Sequence, residues 1–198
     1  MQLPPTKICK PKTSSGFTLI EIMIVVSIIA IIAGAFFLNL REGERNLALQ
    51  RSAQLVTQAV EEARNSTLAN RLHAGTVSAG GYGVRFQDGL SSVIVFADCN
   101  QDGRYNASGG APSCIGAASG PPNFAELYSI IELEEGVTIS GITPCDGPCV
   151  LDLKFSSPNA NAVFGPSLVG ADAFITLQGS DGDQLSVVIN GLGIARVQ

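Results

Sequence analysis

The sequence predicts an α+β chain: one long N-terminal helix, apolar in its first half, followed by a small antiparallel β domain. Two observations carry this. A block without Pro runs from Phe17 to Leu72, apolar as far as Leu40 and then polar with helical spacing. From Ala74 onward, Gly clusters bracket short runs rich in β-branched residues.

Residues 1–16 are short, basic and broken by Pro4, Pro5 and Pro11, too little to build a core. Residues 17–40 are almost wholly apolar and raise the mean hydropathy to +0.29. As a helix rising about 1.5 Å per residue they reach roughly 36 Å, enough to cross a hydrocarbon layer of about 30 Å. Lys7, Lys10 and Lys12 precede the block, so the positive-inside rule places residues 1–16 in the cytoplasm and the rest outside. An alternative reads residues 1–35 as a signal peptide ending in Ala33-Gly34-Ala35. The run is long for that, and it contains Glu21. That carboxylate is the anomaly of the block. At the centre of a membrane helix a charge costs about 2.5–3.5 kcal/mol, and less near the end.

Residues 41–73 are expected to continue the helix. Ala48, Leu55, Ala59 and Ala63 form one stripe, with Val56 and Val60 beside it, and Gly43 is the weak point. Residues 74–198 hold eight expected strands: 82–87, 92–97, 127–133, 136–140, 150–155, 173–178, 185–190 and 193–198. "QDG" at 87–89 and "GSDGD" at 179–183 mark hairpin turns, and 98–122 is a long loop.

Net charge is −5. The first 16 residues carry +3, so the remainder carries −8, with nine Lys and Arg against 17 Asp and Glu. That sign gives no electrostatic reason to expect nucleic acid as a partner. Arg41, Arg45, Arg51, Arg64 and Arg71 are interleaved with acids. No Ser/His/Asp set, His cluster or phosphate loop appears, so no enzyme is expected. The single histidine, His73, falls where the helix is expected to end, where a cation suits the dipole.

Four of five cysteines, Cys99, Cys114, Cys145 and Cys149, follow the apolar block, a pattern for disulfides in an oxidising exterior. Four cysteines allow three pairings. Cys99–Cys114 and Cys145–Cys149 are favoured, each closing its own loop. A Cys₄ zinc site is the alternative, but the first two cysteines are poorly spaced for it. "DCNQDG" sets Asp98, Asn100 and Asp102 at alternate positions before Gly103, the opening of an EF-hand-like calcium loop, with Gly109 where the closing Glu would fall. The favoured reading is a polar turn. A weak calcium site is the alternative, and no cofactor is required.

"SSGFTLIEIMIVVSIIAII" resembles the N-terminus of type IV prepilins and type II secretion pseudopilins: a basic leader ending in Gly16, then Phe17, then Glu21, then an apolar helix. "SAQLVTQAVEEARNSTLANR", "GYGVRF", "VIVFADCNQDGRYN" and "VVINGLGIARVQ" are similar to minor pilins and pseudopilins of the FimT/GspH type. The helix lacks the proline frequent in major pilins. The resemblance implies a pilin-like fold, cleavage after Gly16 by a membrane prepilin peptidase, methylation of Phe17, and assembly into a fibre with other pilins. There Glu21 of one subunit would meet the Phe17 amine of its neighbour, which compensates a costly charge and sets register. A ligand- or DNA-binding minor pilin of a competence or adhesion pilus is the alternative function.

Overall fold

The computed structural model describes residues 16–73, 76–106, 126–144, 149–165, 168–169 and 172–198, with backbone alone for 36–42, 76 and 168–169. It is α+β: one helix, α1 (Leu19–Leu68), then antiparallel sheets. The chain divides into two compact units, Met1–Glu42 and Gly43–Gln198, and the boundary falls inside α1.

In the first unit, Thr18 starts the helix. Its carbonyl accepts the amides of Glu21 and Ile22 at 3.1 and 3.3 Å, and its Oγ1 accepts Glu21 N–H at 3.4 Å. This is one half of a capping box. The Ser27 hydroxyl is satisfied within the helix, donating to Met23 O at 2.8 Å. Every described side chain from Gly16 to Ala35 is exposed, Phe17 at 79% and Leu19 at 77%. The sequence predicts that residues 17–40 cross a membrane. Among the described residues, no helix is long and apolar enough to do so.

In the second unit, the remainder of α1 buries Leu49, Ser52, Ala53, Val56, Ala59, Val60, Ala63, Ser66 and Thr67, a stripe at steps of three and four. The stripe expected from the sequence is rotated slightly. Ala48 and Leu55 are half-buried flanks, and Leu49 and Ala53 take the centre. Polar members share the buried face because they are bonded: Ser52 Oγ accepts Glu134 N–H at 3.0 Å. The helix ends in a Schellman motif. Arg71 N–H reaches Ser66 O at 3.0 Å, Asn70 N–H reaches Thr67 O at 3.1 Å, and Asn70 takes φ 46°.

The strands are β1 (Leu72–His73), β2 (Thr76–Val77), β3 (Tyr82–Gln87), β4 (Ser92–Ala97), β5 (Leu127–Glu132), β6 (Thr138–Thr143), β7 (Val150–Ser156), β8 (Asn161–Phe164), β9 (Leu168–Val169), β10 (Ala173–Gln178), β11 (Gln184–Ile189) and β12 (Ala195–Val197). A six-stranded sheet runs β5-β4-β3-β7-β8-β9 and a four-stranded sheet β12-β11-β10-β6, while β1 and β2 pair alone. All pairings are antiparallel; Tyr82 of β3 faces Ala97 of β4 and Phe155 of β7. The core joins the helix stripe to Tyr82, Val84 and Phe86 of β3, Leu153 and Phe155 of β7, and Ile175 and Leu177 of β10.

All eight expected runs contain strands. The run at 136–140 is displaced to Thr138–Thr143, because Gly136 at φ 81° and the Val137 N–H to Glu134 O bond make a turn there. The short strands β1, β2, β8 and β9 were not expected. Both expected turns form: Gly89 takes φ 79° after β3, and Gly179 N–H meets Asp183 O at 2.9 Å between β10 and β11.

Candidate functional site

Two places carry candidate chemistry: the segment Gly16–Glu21 and the corner around Asp98. In the first, Gly16 and Phe17 are exposed, and nothing lies within 4 Å of where a Cβ on Gly16 would stand. Among the described residues, packing therefore gives no reason for glycine at this position. Glu21 occupies the first turn of α1, where the helix dipole favours a carboxylate. The arrangement presents an accessible backbone at Gly16–Phe17, next to a helix whose apolar side chains face outward on all sides.

The model of the prokaryotic N-terminal methylation motif matches residues 11–37. The chain carries the type IV prepilin signature. No curated protein and no solved structure matches it. The signature indicates a structural, pilin-like subunit, one that interacts in general with other pilins and with prepilin peptidase.

The second place lies in the β domain of this pilin-like chain. Asp98, directly after β4, is fully buried. Its Oδ2 accepts Lys154 Nζ–H at 2.8 Å and Gly103 N–H at 3.0 Å. Asn100 and Asp102 turn back on the loop itself. Asn100 Oδ1 accepts Asp102 N–H at 3.1 Å, and Asp102 Oδ1 accepts Arg104 N–H at 2.8 Å. Asp102 Oδ2 accepts from the side-chain amides of Asn100 and Asn106, at 2.8 and 2.9 Å. Burial works against the Asp102 carboxylate, yet these bonds and the Arg104 charge hold its pKa below the usual range. Among the described residues, no three His, Cys, Asp or Glu side chains form a ready metal-binding group.

Sequence reasoning missed Glu126. It is fully buried against this corner, with Oε2 accepting Asn106 N–H at 2.7 Å. Burial pushes its pKa up. The Asn106 and Cys99 amides oppose that, and the charges of Asp98 and Asp102 reinforce it. No local motif marks it, since it stands 20 residues from Asn106 across the long loop. Its one signal is an acid placed directly before a β-rich run.

Cys99 and Cys149 are both disulfide-bonded. Cys114 and Cys145 lie outside the described residues, and so does the pairing. His73 is not in the last turn of α1, which ends at Leu68. It pairs with Thr76 across β1 and β2, with its ring 6.1 Å from that of Tyr128. The dipole role expected for it therefore fails.

Proposed function

We propose that the chain is a minor pilin or pseudopilin, a structural subunit of a type IV pilus or type II secretion-like fibre. The observation that carries this is the prepilin signature over 11–37, set on a helix whose described side chains are all exposed through Ala35. An outward-facing apolar helix needs a non-aqueous partner. In this reading residues 17–40 lie in lipid before assembly and against other subunits afterwards. The leader 1–16 is cytoplasmic and the domain 74–198 extracytoplasmic. Prepilin peptidase cuts after Gly16 and methylates Phe17, and Glu21 pairs with the Phe17 amine of a neighbour. In this reading the demand for glycine at position 16 comes from the peptidase.

For the DNA-binding alternative, two of the described arginines are already engaged by carboxylates. Arg45 is paired with Asp181, and Arg85 with Asp152. Mass spectrometry of the mature N-terminus tests the proposal. An N-methylated chain starting at Phe17 is expected, and Gly16→Val should leave the leader attached. A mature chain starting at Phe36 would overturn it.

A further inference from the structure

We infer that the corner between Asp98 and Glu126 is a calcium site, with Asp98 Oδ1 and Glu126 Oε1 as its anionic ligands. Both side chains are fully buried, and among the described residues neither named oxygen has a hydrogen-bond partner. Each carboxylate is also held by the protein: Asp98 Oδ2 by Lys154 and Gly103, Glu126 Oε2 by the Asn106 amide, with the Cys99 amide bearing on the same carboxylate. The two acids are neighbours, since Ala97 N–H bonds Glu126 O at 2.8 Å. A buried carboxylate oxygen with no donor is costly, and here two such oxygens occur in one corner.

The charge balance points the same way. Asp98, Asp102 and Glu126 bring three carboxylates, and the half-buried ammonium of Lys154 answers one. Arg85 is committed to Asp152 through two bonds, at 2.7 and 2.8 Å. Arg104 is exposed, and its charge bears on Asp102. With both buried acids ionised, the pair lacks one positive charge.

The donors select the ion. All are oxygens, because the disulfide-bonded Cys99 offers no thiolate and no imidazole is among them. That excludes the usual zinc set. Calcium accepts irregular shells of about 6–8 oxygens, including carbonyls and water, whereas magnesium demands a near-ideal octahedron. Asp102 is not needed as a ligand, because both its oxygens already accept bonds that shape the loop. It adds negative charge nearby. Two ligating acids opposed by a neighbouring ammonium make a weak site, about 10⁻⁴–10⁻³ M as in extracellular modules. The site would tie the end of β4 to the start of β5.

The full-length chain in detergent tests this. Calcium at about ten times such a Kd should raise Tm by roughly 3–6 °C for a chain of this size, and equal magnesium should not. Terbium should give luminescence sensitised by Tyr105, the tyrosine whose titration senses Glu126. Calcium should quench that signal, and Tyr105→Phe should remove most of it. Glu126→Gln keeps the shape and should abolish the calcium shift. If that variant does not fold, the terbium signal and its loss in Tyr105→Phe decide instead. An unchanged wild-type Tm with no terbium signal overturns the inference, since a proton on one acid would then balance the corner. An equal calcium shift in Glu126→Gln also overturns it.

Discussion

Thr67 Oγ1 accepts the amide of Tyr82 at 2.9 Å, fastening the last turn of α1 to the first residue of the central strand β3. The same hydroxyl lies 3.0 Å from Ala63 O and 3.3 Å from Phe155 O, each of which can accept its proton. One buried oxygen thus connects the helix, β3 and β7.

Thr67→Val keeps the volume and removes that oxygen. The Tyr82 amide is then buried without an acceptor, which costs about 1–3 kcal/mol. Thermal denaturation of the purified chain should show a Tm lower by several degrees, at about 2–4 °C per kcal/mol for this size. An unchanged Tm would mean that Tyr82 finds another acceptor.

This relationship also shows what the sequence could and could not convey. Strands β3, β4 and β10 were legible to the residue, because "YGVRFQ", "SVIVFA" and "AFITLQ" are rich in strand-forming residues and end at Gly or Asp. The helix face was nearly legible, but a count of apolar residues passes over the buried Ser52, Ser66 and Thr67, of which Ser52 and Thr67 are held by tertiary hydrogen bonds. Glu126 was illegible for a related reason. What makes it unusual is burial beside Asp98, and that contact spans the long loop. The prepilin signature was legible because it is a local pattern, and the methylation motif matches it over residues 11–37.

Gly193→Ala should be severe. Gly193 sits at φ 72° in the turn between β11 and β12, where Asn190 Oδ1 accepts the amides of Leu192 and Ile194 at 3.1 and 2.9 Å. An added Cβ would fall 2.2 Å from Cε1 of Phe155 and 3.1 Å from Cβ of Ala162. Strain and overpacking each cost about 1–3 kcal/mol. Gly89→Ala is the control, because it shares the positive φ but meets nothing within 4 Å. Chemical denaturation should rank Gly193→Ala well below Gly89→Ala, and equal losses would show that packing on Phe155 is dispensable.

For the disulfides, non-reducing peptide mapping should link Cys99 to Cys114 and Cys145 to Cys149. Cys149 stands immediately before β7, with its carbonyl accepting Asp88 N–H at 2.8 Å. The Cys99–Cys114 loop of roughly 15 residues should contribute about 3 kcal/mol. A peptide joining Cys99 to Cys145, or Cys114 to Cys149, would reject this pairing.

Glu21→Ala should separate folding from assembly. The start of α1 depends on Thr18, which bonds the backbone amide of residue 21, and alanine keeps that amide. The lost interaction with the helix dipole is worth about 0.3–1 kcal/mol. Helix content by circular dichroism should therefore be unchanged, and removing a charge from the apolar block should ease insertion into lipid. Assembly should fail instead. In a fibre the variant would leave the neighbour's Phe17 ammonium buried without its carboxylate, and breaking a buried pair in this way costs about 3–5 kcal/mol. The amount of chain that copurifies with partner pilins, set against the amount in the membrane, gives the readout. Wild-type recovery with the partners would show that Glu21 has no such pairing role.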